Sequence, residues 1–203
     1  MKKKTWYLVI LFFVGLPIYA QLGVKGGLNI SSVRNDGYDN SYNLGFNIGG
    51  FYDVHLSKKF YFQPQLLFLY EPYSRELPEM NNDKVIYKDK SNSFSLSIPV
   101  LFSYRYPIKD NQKISVDMGP FLSFGLFGEI EAKLWENNIL TENYTTDLYT
   151  DIRDILDAGL MGGVSYEYEQ FILSGHIKYG LTRVTSYDKT ISYLISVGYK
   201  FKK

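Results

Sequence analysis

The sequence predicts an all-β protein, folded as an eight-stranded antiparallel transmembrane β-barrel. Three observations predict this fold: apolar side chains recur at every second position over long segments, long and short connections alternate between these segments, and 19 of the 203 residues are tyrosine. A period of two is that of a β-strand. Membrane barrels combine long strands with short turns at one end and longer loops at the other.

The first twenty residues have the composition of a secretory signal peptide. Three lysines at positions 2–4 precede an apolar run over residues 6–16. This order of a positive segment and a short apolar segment is typical of export signals. A cut after Ala20 leaves a barrel domain of residues 21–203. A membrane anchor is the alternative, and it is disfavoured because the apolar run is shorter than the roughly 20 residues that cross a bilayer as a helix.

Eight segments of the mature chain alternate as strands do. In chain order, their apolar faces begin at Leu22, Leu44, Phe60, Phe94, Ile114, Leu160, Phe171 and Tyr193. Every segment reaches the roughly 9–11 residues that a tilted transmembrane strand needs. The expected strands are 21–31, 43–55, 59–71, 93–106, 113–127, 157–169, 170–181 and 192–202. The expected long connections are 32–42, 72–92, 128–156 and 182–191.

The chemistry of the two strand faces distinguishes a membrane barrel from a soluble one. A soluble barrel such as a lipocalin needs an outer face rich in charged side chains. Here the less apolar face consists mainly of glycine, serine and asparagine, which suits a narrow lumen, and the other face is large and apolar. Phe, Trp and Tyr together make up 17% of the chain, and such rings concentrate at membrane interfaces. These features predict a protein of the bacterial outer membrane with its long loops outside.

Overall charge and cysteine content exclude several functions. Lys and Arg number 22 against 21 Asp and Glu, and loss of the three leader lysines leaves 19 basic residues. So balanced a chain offers no nucleic-acid surface. The absence of cysteine excludes disulfides, thiol catalysis, thiolate metal sites and a lipidated N-terminal cysteine. We expect no cofactor and no structural metal.

A balanced set of charges falls on the face predicted to line the lumen. Isolated ions in a narrow interior are costly, so these groups are expected to form pairs. A barrel of about eight strands leaves room only for side chains, which disfavours an open pore. The expected network consists of Lys25, Asp53, Glu71, Arg105, Lys113, Asp117, Glu167, Glu169, His176, Lys178 and Lys200.

Only two histidines are available for acid–base chemistry. His176 lies near Ser174 and Lys178, and some membrane barrels are lipid-modifying hydrolases with a Ser, His and acid set. The active site of such an enzyme must face lipid, whereas His176 alternates with the inward residues. An interior hydrogen bond is therefore the better interpretation, and the sequence does not predict an enzyme. His55 falls at a short turn.

The connection over residues 128–156 is the best candidate for recognition. It is rich in acids and carries the aromatic side chains Trp135, Tyr144 and Tyr149, and such rings are common in binding hot spots. Its carboxylates also permit binding of a hard cation such as Ca²⁺, although no fixed ligand spacing is present. Deletion of residues 131–150 is expected to remove a partner and to leave the barrel folded.

Several short motifs occur in a characteristic order along the mature chain. They are Gly-Val-Lys-Gly-Gly-Leu-Asn at 23–29, Ile-Pro-Val-Leu at 98–101, Asp-Met-Gly-Pro at 117–120, Asp-Ala-Gly-Leu at 157–160, Tyr-Gly-Leu-Thr at 179–182 and Val-Gly-Tyr-Lys-Phe at 197–201. In these motifs the chain resembles the PorT-like outer-membrane β-barrel family of Bacteroidetes. The resemblance implies an eight-stranded outer-membrane barrel, and its namesake is linked to secretion and gliding. Lys202 and Lys203 depart from the pattern, because barrels of this kind often end on the aromatic residue.

Three functions remain open. The first is a structural or interaction protein, whose outer loops contact outer-membrane lipid, lipopolysaccharide or an extracellular or envelope protein. The second is a small channel or an accessory to transport or secretion. The third is a lipid-modifying barrel enzyme.

Overall fold

The computed structural model describes residues 20–34, 42–77, 85–136, 139–149, 155–182 and 189–202. The predicted signal peptide therefore lies outside the described residues, except for Ala20. None of the described segments is a helix of sufficient length and hydropathy to cross a bilayer. The described strands are β1 (Ala20–Arg34), β2 (Asn43–Ser57), β3 (Phe60–Leu77), β4 (Val85–Lys109), β5 (Gln112–Glu136), β6 (Ile139–Asp147), β7 (Leu156–Tyr168), β8 (Phe171–Gly180) and β9 (Lys189–Lys200).

Eight of these strands close into a ring of antiparallel neighbours. β1 pairs with both β2 and β9, which joins the two ends of the chain, and β4 pairs with both β3 and β5. β7 and β8 complete the wall between β5 and β9. The remaining strand, β6, pairs with β5 alone among the described residues. The predicted eight-stranded antiparallel barrel is confirmed, and β6 is an addition outside the ring.

Three short turns lie at one end of the barrel, which we call the turn end. They are centred on residues 58–59, 110–111 and 169–170. Asn111 and Glu169 have positive φ angles of 66° and 54°, a conformation that closes a tight turn and that asparagine adopts more readily than glutamate. Glu169 is exposed in its turn, so its predicted place in the lumen is wrong. The turn reverses the chain there and interrupts the inward alternation of β7.

The outward face of the ring is apolar along its length. Ile48, Val164 and Ile195 are 59%, 60% and 63% exposed, as the alternation predicts. Isolated exposed aliphatic residues are normal on soluble proteins, but a continuous band of them is not. An apolar band around a closed barrel is the surface that a lipid bilayer covers.

Part of the lumen is filled by a hydrophobic cluster that the sequence pattern did not predict. Its six side chains come from five strands, and none is more than 3% exposed. Close packing of such side chains excludes water from the space that they fill. We call this cluster the lumen core, and its members are Leu67, Leu69, Leu101, Phe121, Met161 and Leu194.

Beyond the lipid-facing band, β3, β4 and β5 continue and are joined by β6 in a four-stranded sheet, which we call the outer sheet. It comprises residues 72–77 of β3, 85–93 of β4, 128–136 of β5 and all of β6. The prediction that 72–92 and 128–156 are loops is therefore wrong for most of their length. In this part of β4 polar side chains occupy both faces, as in residues 90–93, so the apolar–polar contrast between alternate residues fades while backbone pairing continues.

β5 exchanges one of its two neighbours near the level where the outer sheet begins. It pairs with β7 as far as Phe124 and with β6 from Glu129 onward. On the opposite edge, a register shift sets Phe94 against Phe127 and Ser95 against Gly125, so Leu126 is an extra residue. Such a bulge reverses the facing of the residues that follow it. Residues 125–128 of β5 thus lie between the end of its pairing with β7 and the start of its pairing with β6, and we call this segment the partner gap.

Candidate functional site

The turn end of the lumen contains four charged side chains that neutralise one another, which we call the turn-end cluster. Arg105 donates two hydrogen bonds to Asp53, with nitrogen–oxygen distances of 2.6 and 2.7 Å. Lys200 contacts both Asp53, at 3.3 Å, and Glu167. The Arg105 guanidinium also lies 3.4 Å from Glu167 and stacks 3.9 Å from the centre of the Tyr61 ring. Lys113 reaches Glu167 from the rim at 3.7 Å.

A second group of polar side chains surrounds His176. Its Nε2 lies 3.1 Å from Asp117 Oδ2, and Ser165 donates a hydrogen bond to the same carboxylate oxygen. Lys25 donates to Gln65 at 3.4 Å. His176 Nδ1 is buried without a hydrogen-bond partner among the described residues. His176 and Lys25 also line a cavity of about 10 Å³, a size that suits one water molecule.

A third polar group lies at the opposite end of the lumen, which we call the open end. Lys178 donates to Glu71 at 2.7 Å and lies 4.0 Å from Asp157. Ser192 donates to the other oxygen of Glu71 at 2.6 Å, and Thr182 donates to Asp157 at 2.8 Å. All the predicted network residues except Glu169 are thus placed in the lumen or at its rim. Each acid among them has a basic or hydroxyl donor, whereas the ammonium group of Lys25 donates to an uncharged group, the Gln65 amide.

The serine and histidine residues of the lumen do not form a nucleophile and base pair in the described part of the chain. Ser165 donates to Asp117, and Ser174 donates to the carbonyl oxygen of Ser196 at 3.3 Å. Nucleophilic catalysis needs a serine hydroxyl within hydrogen-bond reach of the histidine. The other histidine, His55, is exposed and its ring lies 4.8 Å from that of Tyr61.

Tyr149 closes one side of the open end. The sequence predicts it as an exposed contact residue, but its ring packs over Gly125 and its hydroxyl lies 2.6 Å from Ser93 Oγ. A Cβ at Gly125 would lie 2.2 Å from this ring, so only glycine leaves the ring its place. Burial raises the pKa of Tyr149 to about 12. Tyr149 is therefore half-buried at the open end rather than displayed on the outer surface, and its part in recognition stays a prediction.

The other two predicted recognition residues belong to the outer sheet. Tyr144 lies on β6 opposite Ala132 of β5 and is 49% exposed. Trp135 lies on β5 opposite Leu140, and its side chain is outside the described residues. Neighbouring charges are paired here too: Lys133 lies 2.8 Å from Glu131 and lowers the pKa of that carboxylate. No group of three His, Asp or Glu that could hold a metal ion occurs among the described residues.

A pocket of about 520 Å³ lies on the outer wall beside the partner gap, and we call it the wall pocket. Its apolar part includes the rings of Tyr70, Phe94 and Phe127. The centre of the Phe94 ring lies 4.7 Å from that of Tyr70 and 4.6 Å from that of Phe127. Its polar part includes Asn92, which accepts a hydrogen bond from the Tyr70 hydroxyl at 3.0 Å. The sequence alone does not reveal this pocket, because its residues come from strands far apart in the chain. The full lining is Tyr70, Asn92, Phe94, Leu126, Phe127, Gly128, Glu129, Asp147 and Tyr149.

Several solved structures of bacterial outer-membrane proteins resemble this chain. Ail of Yersinia pestis is 15% identical with a TM-score of 0.43, and the alignment covers 91% of this chain and all of Ail. OprG of Pseudomonas aeruginosa is 13% identical with a TM-score of 0.45, covering 91% of this chain and 97% of OprG. The outer membrane enzyme PagL is 10% identical with a TM-score of 0.48, covering 90% and 99%. No curated protein matches the chain.

A family model provides the decisive comparison, because it matches most of the sequence. The model describes an outer membrane protein beta-barrel domain, and it matches residues 13–186. The matched region extends from the predicted leader through β8 and into the connection before β9. Together with the closed ring and its apolar outer face, the match places the protein in the outer membrane. The chain belongs to the outer membrane protein beta-barrel domain family.

Proposed function

We propose that this protein acts in the outer membrane as an interaction protein whose recognition surface is the outer sheet. The observation that carries the proposal is the continuation of β4 and β5, as ordered strands, beyond the lipid-facing band. Residues 129–136 of β5 alone extend about 27 Å at roughly 3.4 Å per residue. At a tilt near 45° this corresponds to a height of about 19 Å, whereas each headgroup layer is roughly 5–8 Å thick.

A β-sheet that rises about 19 Å above the lipid-facing band extends past the headgroups and is accessible to molecules outside the membrane. Tyr144 and the residues around it on β6 are exposed there, and loops or extensions on a rigid barrel are common places for binding. Outer-membrane lipid and lipopolysaccharide are the neighbours of the wall below. An extracellular or envelope protein is the partner that the outer sheet suits best.

The contents of the lumen argue against the channel alternative. The lumen core is at most 3% exposed, and the turn-end cluster lies within the same lumen. An ion crossing the barrel would need to displace apolar side chains and break several buried ion pairs. The wild-type protein reconstituted in planar bilayers is expected to give no steady conductance, and discrete reproducible channel openings would contradict this interpretation.

The arrangement around His176 argues against the enzyme alternative. In the described residues His176 contacts an acid and no serine hydroxyl, and it faces the lumen rather than lipid. Purified protein is therefore expected to leave lipopolysaccharide and phospholipid acyl chains intact, as mass spectrometry of the lipids would show. Release of a fatty acid that depends on His176 would contradict the proposal.

Two finer assignments also belong to the proposal. The ordered motifs, including Ile-Pro-Val-Leu of β4 and Val-Gly-Tyr-Lys-Phe at residues 197–201, support placement among the PorT-like barrels of Bacteroidetes. The apolar leader supports export with cleavage near Ala20. Mass spectrometry of the protein from isolated outer membranes is expected to find Gln21 as the first residue, and a retained leader would contradict this.

The test of the recognition surface replaces residues 131–146 with a short Gly-Ser connector. This design differs from removal of 131–150, since it keeps Leu148 and Tyr149 to close the open end. Cross-linking on intact cells is expected to lose partner adducts, while the barrel keeps its heat-modifiable mobility. A matched control inserts the same connector at residues 110–111 of the turn end. Loss of adducts in both variants, or in neither, would contradict a role for the outer sheet.

A further inference from the structure

We propose that the wall pocket binds a neutral sugar ring, a step that rests on the proposed recognition role of the outer side. Its volume of about 520 Å³ lies within the roughly 300–1,000 Å³ of known ligand pockets. It opens on the outer wall, where the lipid-facing band gives way to the outer sheet. A ligand there can be part of an outer-leaflet lipid or a free saccharide.

The apolar part of the pocket lies at the end of a row of aromatic rings. Phe46, Tyr70, Phe94 and Phe127 come from four adjacent strands, and successive ring centres are 5.5, 4.7 and 4.6 Å apart. Phe127 is the last ring of the row, and it is 55% exposed. Ring faces carry partial negative charge, and the C–H groups of a sugar ring carry partial positive charge. A sugar can therefore stack on Phe127, where no further ring of the row covers it.

The polar part offers both acceptors and a donor. Glu129 and Asp147 lie directly opposite each other on β5 and β6, and Asn92 lies opposite Glu129 on β4. The two carboxylates can only accept hydrogen bonds when ionised, whereas the Asn92 amide nitrogen can only donate. The Asn92 side-chain oxygen already accepts a hydrogen bond from the Tyr70 hydroxyl. Hydroxyl groups match this mixture because each can donate to a carboxylate and accept from the amide.

The charge of the lining selects among polar ligands. Its ionisable groups are the two carboxylates and two tyrosines, and no basic residue lines it within the described chain. Phosphate or sulfate groups would meet like charge and no counter-ion. A cation could use the carboxylates but not the Asn92 donor. A neutral, hydroxyl-rich ring can donate to the carboxylates and accept from the amide, and so satisfies both kinds of group.

The test presents the protein in lipid nanodiscs to an array of neutral, phosphorylated and sulfated oligosaccharides. We expect binding to at least one neutral oligosaccharide, and at least tenfold weaker binding by Phe127→Ala and by Asp147→Asn. The matched controls are Phe102→Ala, since Phe102 is an outward ring of similar exposure at 54%, and Asp110→Asn, since Asp110 is an exposed acid at the turn end. Both controls are expected to bind as the wild type does, and all variants should keep heat-modifiable mobility.

A second measurement separates the two sources of the sugar. Phosphatidylcholine vesicles that contain a neutral glycosyl diacylglycerol are compared with the same vesicles lacking it. Phe127-dependent capture of glycolipid vesicles supports the proposed pocket. Capture without binding of free oligosaccharides identifies a membrane lipid as the source of the sugar, whereas binding of both shows that the pocket accepts either source.

Three results would overturn the proposal. They are absence of neutral-sugar binding in both measurements, binding confined to the phosphorylated or sulfated glycans, and unchanged binding by Phe127→Ala. The connector variant over residues 131–146 keeps Phe127 and Asp147. If this variant loses its cell-surface adducts and still binds sugar, partner binding by the outer sheet and sugar binding by the wall pocket are independent functions.

Discussion

The turn-end cluster allows a sharp test of the lumen, beginning with Asp53→Asn. Asp53 is 3% exposed and receives two hydrogen bonds from Arg105 and one from Lys200. Its carboxylate and that of Glu167 balance the two buried cations. Removing one carboxylate leaves a net positive charge in the lumen, and breaking a buried ion pair costs about 3–5 kcal/mol. Asparagine has nearly the same shape as aspartate, so this cost is electrostatic rather than steric.

Asp53→Asn is one arm of a double-mutant cycle. The other arm is Arg105→Gln, measured alone and combined with Asp53→Asn. The single change leaves a net negative charge and is expected to cost a similar amount. The double variant keeps Lys200 beside Glu167 as a neutral pair. Its cost should therefore fall below the sum of the two single costs by at least about 2 kcal/mol, within the range for contacting residues. Urea unfolding from lipid vesicles, followed by heat-modifiable mobility, measures each free energy.

A matched control uses Glu131 and Lys133, which form an ion pair of similar length on the outer sheet. That pair is exposed to solvent, so changing either residue to glutamine is expected to leave the unfolding midpoint unchanged. Costs of Asp53→Asn and Arg105→Gln that add to within about 0.5 kcal/mol would contradict a coupled ion pair in the lumen. The absence of any measurable effect of Asp53→Asn alone would contradict it as well.

Three further changes test other parts of the molecule. Ile98→Arg places a charge against lipid and is expected to cost about 2–4 kcal/mol and to impair assembly. Ser95→Ala removes a buried hydroxyl that has no partner among the described residues, and it should stay within about 0.5 kcal/mol of wild type. Equal tolerance of both changes in a membrane-assembly assay would contradict the assigned facing of β4. Leu101→Ala, in the lumen core, should cost about 2–5 kcal/mol and still give no conductance in planar bilayers, because the turn-end cluster remains; steady current would contradict a lumen closed by more than one layer. Gly125→Leu should expel the Tyr149 ring, which would lie 2.2 Å from the new Cβ, and so increase chemical nitration of Tyr149 as measured by mass spectrometry; unchanged nitration would contradict the packing of Tyr149 in the open end.

The barrel wall could be predicted from sequence because lipid imposes a contrast on it. In β4, Phe94, Leu96 and Ile98 face outward while Ser95 and Ser97 are at most 5% exposed, and this contrast is visible in the order of residues alone. In the outer sheet the same strand carries polar side chains on both faces, since the buried Ser91 and Ser93 alternate with the exposed Lys90 and Asn92. The exposed Lys90 and Asn92 of β4 therefore resemble loop residues, although their backbone pairs with β3 and β5 as regularly as that below.

The bulge in β5 hid the rest of the outer sheet. Leu126 and Phe127 are adjacent and both exposed, so the alternation breaks there and the sequence suggests that the strand ends. Tyr149 illustrates a different limit. Its position depends on Ser93 and Gly125, which are 56 and 24 residues away, and no local pattern reports such contacts. Likewise, the balance of lumen charges predicted pairing, but the choice of Asp53 for Arg105 depends on the register of β2, β3 and β4.

The length of β4 and β5 has a mechanical consequence. Each runs for 25 residues, or about 85 Å at roughly 3.4 Å per residue, from a turn at one end of the barrel to the tip of the outer sheet. The two strands stay paired with each other on both sides of the bulge at Leu126, so the part held by lipid and the part above it belong to one pair of strands. A molecule bound to the tip is thereby held at a set inclination to the membrane plane. It also loses little additional freedom on binding, because the surface it meets is already ordered.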